Sequence, residues 1–287
     1  MLSRGHMATL AEQVVTVDQY AEAQPGRGVH LKGLSKHYEL KGGHVVALDN
    51  IDLDIREGEF VCIVGPSGCG KTSLLRILAG LEEPSGGVLD IDIDAGARPL
   101  RSMVFQGNGI FPWMKVIDNA AYGLTARGVP KREAHALADA YLEKLGIAQF
   151  RDAWPRQLSG GMLQRVNLAR AFANDPAILL MDEPFGALDE QTKILAYADL
   201  LGLWEKTRKT VLFITHSIDE AIILADRVCV MSRRPGRIKD VFEVDLPRPR
   251  AVFDLQNNID FMRIRKNVWS SLRDEVVPAG AHPEAST

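Results

Sequence analysis

"EFVCIVGPSGCGKTS", Glu59–Ser73, is the stretch that decides the fold. Its first part, Glu59–Val64, is an apolar run of the kind found in strands covered on both faces. Its second part fits Gly65-x-x-x-x-Gly70-Lys71-Thr72, and "SLLRILAGL" continues as a helix. Strand, glycine-rich turn and helix in that order make a phosphate grip. The glycines permit positive φ and let backbone N–H groups curl around an anion. The helix N-terminus adds its positive end. In such a loop Lys71 reaches the β- and γ-phosphates and Thr72 ligates Mg²⁺. The candidate nucleotide-binding residues are therefore Gly65, Pro66, Ser67, Gly68, Cys69, Gly70, Lys71, Thr72 and Ser73. Cys69 reads as a small residue that fits the loop.

Strands and helices alternate outward from this point. "VHLKGL", "HVVAL" and "IDLDI" precede the loop as β-rich runs, and "GGVLDIDI" and "RSMVFQ" follow it. "VIDNAAYGLTARG" and "KREAHALADAYLEKLGI" have helical apolar spacing, so residues 107–165 read as a helical insertion. Alternation then returns with "AILLMD", "EQTKILAYADLLGLWEKT", "TVLFITH", "SIDEAIILA", "RVCVMS" and "RIKDVFEV". The pattern predicts an α/β fold with a mostly parallel sheet and helices on both faces. Residues 1–28 read as a flexible tail and 246–287 as an extension with a short helix near Asp260–Arg273.

Bulk properties narrow the class. At 287 residues, one large domain or two small ones is expected. The chain is 46% hydrophobic and 25% charged, as ordinary globular proteins are. A net charge of −3 argues against a nucleic-acid partner. The three cysteines, Cys62, Cys69 and Cys229, have no metal spacing and suggest a reducing compartment. No apolar run approaches the roughly 20 residues that a membrane span needs.

Two further strand ends carry chemistry. "ILLMDEP" brings Asp182 to the C-terminal end of a buried strand, where parallel sheets bind ligands. Asp182 is the candidate Mg²⁺ ligand, and Glu183 beside it the candidate base that deprotonates a water. "FITHS" ends another strand with His216 in reach of a γ-phosphate. A second anion grip, "LSGGMLQRVNLARA", starts at Leu158 far from the first.

Taken in order, the phosphate loop, "VFQ", "LSGG", "ILLMDEP", "ALDE" and "FITHS" resemble the ATP-binding cassette ATPases over roughly residues 29–245. The resemblance implies a P-loop NTPase (RecA-like) core with an antiparallel β subdomain and an inserted α-helical subdomain, using ATP and Mg²⁺. It implies that Tyr38 stacks on adenine and that Gln106 senses Mg²⁺ and the water. Ser159, Gly160 and Gly161 would touch the γ-phosphate held by a second subunit, and Asp189 would lie at that interface. Two cassettes, here expected as a homodimer, would sandwich ATP head to tail. Met162 stands where many members have Gln, and Gly186 where many have Ser.

The resemblance also implies membrane permease subunits, a solute-binding protein beyond them, and a peripheral place on the cytoplasmic face of the membrane. Phe111, Pro112 and Trp113 in "GIFPWMKVIDNAAYGL" would receive the permease, or else pack inside the helical subdomain. "LSGGM", "PWMKVIDNAAYGL", "MSRRPGRI" and "DLPRPR" look like importers of nitrate, sulfonate, taurine or bicarbonate. Importers of pyrimidine precursors or aromatic acids are related, and a soluble non-transport cassette is the alternative class. By turn chemistry, Pro235-Gly236 reads as a plain hairpin; the basic "RRPGR" reads as solvated turn charges, or else as an anion or membrane-surface patch.

Overall fold

The computed structural model describes residues 14–15, 26–107 and 109–276. A seven-stranded sheet has the order β1-β10-β9-β4-β8-β7-β6. Its strands are β1 (Val14–Val15), β4 (Phe60–Val64), β6 (Arg101–Val104), β7 (Ile178–Asp182), β8 (Thr210–Thr215), β9 (Arg227–Met231) and β10 (Ile238–Glu243). β9, β4, β8, β7 and β6 run parallel; β10 and β1 add antiparallel pairings at one edge. A second, antiparallel sheet has the order β3-β2-β5, from β2 (Gly28–Leu40), β3 (Gly43–Arg56) and β5 (Gly86–Asp92). The helices are α1 (Lys71–Leu78), α2 (Val116–Ala126), α3 (Lys131–Lys144), α4 (Gly160–Ala173), α5 (Glu190–Thr207), α6 (Ile218–Leu224) and α7 (Ile259–Val276).

The two-residue period of β4 explains the layering. Phe60, Cys62 and Val64 face one core, with α2 through α7. Val61 and Ile63 face the other, with α1 and the antiparallel sheet. A strand apolar at every position is what a sheet covered on both faces requires. The fold class read from the sequence is the one observed.

Local details differ from the sequence reading. β2 and β3 are long paired strands where shorter runs were expected, because polar residues at register shifts break their apolar pattern. One such break, Asn50, has φ 53. Within the stretch read as a tail, Val14 and Val15 pair with Phe242 and Val241; residues 1–13 and 16–25 lie outside the described residues. The C-terminal helix is not short: α7 has 18 residues and buries Phe261, Ile264, Val268 and Leu272 in the α2–α7 core. The polar end, residues 277–287, lies outside the described residues. No helix among the described residues is long and apolar enough to cross a membrane.

Candidate functional site

The phosphate loop joins β4 to α1 at the C-terminal edge of the parallel strands. Gly68 and Gly70 take φ 74 and 108, which Cβ-bearing residues rarely adopt. A Cβ on Gly70 would also come within 2.7 Å of Ala47 O and Leu48 Cδ2, so the loop lies flush on β3. Lys71 is 6% exposed, and its Nζ donates to Gly65 O at 2.8 Å and Pro66 O at 3.0 Å. Cys69 is buried behind the loop, and that burial raises its thiol pKa. It packs in the core beneath the antiparallel sheet.

β7 and β8 bring the chemistry to the loop. Asp182 ends β7, with Thr72 Oγ1 at 3.4 Å from its Oδ1. Burial raises the Asp182 pKa, opposed by the Thr72 hydroxyl and by Arg76 and Lys71. Glu183 has φ 43, a strained conformation for a residue with a side chain. Its N–H donates to Ile214 O at 3.0 Å, which turns the carboxylate out of the sheet. Both carboxylate oxygens are held: Gln106 Nε2 donates to Oε2 at 3.0 Å, and His216 Nδ1 lies 2.9 Å from Oε1. Three distant motifs thus meet on one carboxylate.

Tyr38, Ser67, Gly68, Gly70, Lys71, Thr72, Ser73, Gln106, Glu183 and His216 line a single cleft. Tyr38 donates its hydroxyl to Glu82 Oε2 at 2.5 Å and lies 2.9 Å from Ser73 Oγ. Gly65, Pro66, Cys69 and Asp182 are not in that lining: Gly65, Cys69 and Asp182 are buried and Pro66 is partly buried. The site's oxygens suit Mg²⁺. No group of three or more His, Cys, Asp or Glu among the described residues could hold a metal alone. Mg²⁺ needs only one or two protein oxygens when phosphates and water complete its shell.

Ser159, Gly160, Gly161 and Asp189 do not line this cleft. They form a second region, where α4 and α5 begin side by side. Ser159 caps α4, its Oγ accepting the Met162 N–H at 3.3 Å. Asp189 caps α5, accepting from Thr192 N at 3.0 Å and Thr192 Oγ1 at 2.7 Å. A Cβ on Gly161 would lie 2.7 Å from Thr192 Cγ2, whereas one on Gly186 would meet only Glu183 O at 3.5 Å. Met162 packs partly buried against the α2–α7 core.

The loop before α2 projects aromatics. Trp113 is 69% exposed, and Phe111 leans on Tyr122 with ring centroids 4.6 Å apart. Buried Asn119 holds the loop in shape: its Oδ1 accepts from Phe111 N, and its Nδ2 donates to Phe111 O and Met114 O. Its only sequence signal was an amide on the apolar face of α2.

Sequence reasoning also missed Val45, Ala47 and Arg234, which complete the cleft wall. The turn carrying Arg234 is not a free solvated hairpin, as its chemistry had suggested. It lies on the phosphate loop, with Arg234 Nη2 donating to Gly68 O at 3.0 Å.

Comparison with known proteins agrees with the geometry. The ABC transporter family model matches residues 48–186. An uncharacterized ABC transporter ATP-binding protein of Methanocaldococcus jannaschii is 48% identical over 249 residues, 86% of this chain and 92% of that one. The nitrate import ATP-binding protein NrtD of Synechocystis sp. is 45% identical over 252 residues, 85% of this chain and 95% of that one. The dimeric structure of MJ0796, a bacterial ABC transporter cassette, superposes with TM-score 0.66 at 32% identity, over 76% of this chain and 100% of that one. The fold, the family match and these relatives, covered over most of both chains, make the chain a member of the ATP-binding proteins of ABC transporters, an ATPase.

Proposed function

We propose that this ATPase energises a membrane importer for a small anion such as nitrate, sulfonate, taurine or bicarbonate. The observation that carries the catalytic half is Glu183, whose carboxylate is fixed between Gln106 and His216 beside the phosphate loop. Lys71 and the loop N–H groups bind the β- and γ-phosphates, and Tyr38 stacks on the adenine. Thr72, Asp182 and Gln106 would hold Mg²⁺, and the cation would neutralise charge on the phosphates.

Hydrolysis then needs one water. Glu183 accepts its proton as the water oxygen bonds to the γ-phosphorus. The bond from that phosphorus to the bridging oxygen breaks, and ADP and phosphate leave. His216 holds Glu183 in place and faces the departing phosphate. A carboxylate pinned at both oxygens has little freedom to lose when it takes up this geometry.

Ser159, Gly160 and Gly161 serve the nucleotide of a second copy, with Asp189 at the same interface. Support comes from their position outside their own cleft and from the dimeric cassette that this chain resembles. The exposed Phe111–Trp113 loop suits a permease subunit, and through it a solute-binding protein. The small-anion assignment draws on similarity to NrtD of Synechocystis sp. and to the taurine import protein TauB of Roseobacter denitrificans, 41% identical over 254 residues. These roles place the chain on the cytoplasmic face of the membrane.

The test is reconstitution with the permease that co-purifies. Trp113→Asp should uncouple solute-stimulated ATP hydrolysis while basal hydrolysis persists. Equal stimulation in both proteins would refute the docking assignment. Uptake of none of the small anions would refute the substrate class.

A further inference from the structure

The turn between β9 and β10, Ser232–Arg237, is tied down on both sides. Gly236 N–H donates to Ala47 O at 3.0 Å, and Asp49 N–H donates to Gly236 O at 3.0 Å. Arg237 Nε donates to the Asp49 carboxylate at 3.1 Å. On the opposite side, Arg233 N–H donates to Glu275 Oε2 at 3.0 Å, in the last turn of α7. Lys239 Nζ holds the other oxygen of Glu275 at 2.9 Å. A Cβ on Gly236 would stand 2.1 Å from Cys69 O, so the turn presses on the phosphate loop where only glycine fits.

Arg234 is the outcome of that placement. Its Nε and Nη2 both donate to Gly68 O, at 3.2 and 3.0 Å. A trans peptide points its C=O and N–H in opposite directions. Holding Gly68 O outward therefore turns the Cys69 N–H into the loop, where it donates to Pro66 O at 3.4 Å. Lys71 Nζ bonds the same Pro66 carbonyl, so both donors converge on one spot. Gly68, with φ 74 and no Cβ, offers little resistance to flipping that peptide. The Arg234 guanidinium also lies in the wall of the cleft.

We infer that Arg234 is a positioning residue for nucleotide binding: it fixes the Gly68–Cys69 peptide, and with it the Cys69 N–H to Pro66 O bond that holds the loop in its phosphate-binding shape. α7 sets the position of Arg234 through Glu275, so the C-terminal helix is part of the nucleotide site's support. The inference rests on reading Gly65–Ser73 as the nucleotide-phosphate loop.

The experiment measures ATP and ADP binding by calorimetry and steady-state hydrolysis, in full-length wild-type, Lys71→Ala, Arg234→Met and Arg234→Lys proteins. Arg234→Met keeps the stem and removes the donors. It should raise the Kd for both nucleotides and the KM for ATP about five- to tenfold, with kcat at saturation changed less than about twofold. Arg234→Lys, with one ammonium to hold Gly68 O, should recover a good part of the loss. Wild-type Kd values in Arg234→Met, or no recovery in Arg234→Lys, would overturn the inference. If Lys71→Ala loses binding and Arg234→Met does not, only the role of Arg234 fails. If Lys71→Ala also binds ATP normally, the reading of the loop fails with it.

Discussion

Two helix N-termini in this chain are proposed to hold phosphate, and their surroundings differ. The start of α1 is walled by reactive groups: Lys71 is buried, Asp182 lies beside Thr72, and Glu183 follows Asp182 at the same strand end, where His216 meets it from the next strand. The start of α4 is open: Ser159 and Gly160 are exposed, Gly160 meets only Leu188, and Gly161 lies against Thr192. The carboxylates differ in the same sense. Burial raises the pKa of Asp182 at the first grip. Hydrogen bonds from Thr192 at the start of α5 lower that of Asp189 at the second. On the proposed reading the first grip carries the base and the metal ligands, while the second offers N–H groups and a hydroxyl, with its carboxylate, Asp189, already engaged by Thr192. A helix N-terminus is half an anion site, and what surrounds it decides whether the other half is in the same chain.

The largest effect that would break this comparison is at Glu183. Glu183→Gln should lower hydrolysis about a thousandfold and leave ATP bound. Phosphate release and nucleotide titration check both parts, and normal turnover would remove the base from the complete grip.

Next in size is a pH effect behind the first grip. Glu220, on α6 just after His216, bonds the Thr215 hydroxyl. Burial pushes its pKa up to about 7, against the opposing effects of the Thr215 bond and Lys193. The folded state therefore binds a proton that the unfolded chain has already released. That contribution to stability is fully present below about pH 4.5 and is lost as pH rises through about 7. The loss amounts to about 3 kcal/mol. Glu220→Gln should flatten this slope in urea unfolding between those pH values; an unchanged slope would show that Glu220 is not its source.

Smaller effects belong to the second grip. Ser159→Ala removes the cap of α4, at about 1 kcal/mol of stability. It should impair hydrolysis without weakening ATP binding to a single copy. Weakened single-copy binding would merge the two grips into one site. Gly186→Ser should matter least, since its Cβ finds room, and hydrolysis should stay within about twofold of wild type.

The contrast also marks where sequence reading stopped. Three parts of the enclosed grip were legible because each ends an apolar strand: Val64 before the loop, Asp182 on β7, Thr215 on β8; Tyr38 and Gln106 came only from the family resemblance. A local pattern places such residues at one sheet edge, and the edge brings them together. The Arg234 contact has no local pattern, since 166 residues separate it from Gly68. Turn chemistry predicted the shape of Ser232–Arg237 but not the surface it rests on. α7 looked like an appendage because only four of its residues are buried, at spacings that a polar tail could carry by chance.

The account's central claim is that the open grip of one copy completes the enclosed grip of another. The direct measurement is ATP hydrolysis by a mixture of Lys71→Ala and Ser159→Arg proteins, each inactive alone. Random pairing makes about half the dimers mixed, each with one whole site, so activity should return to roughly a quarter of wild type. A mixture as inactive as its parts would contradict the claim.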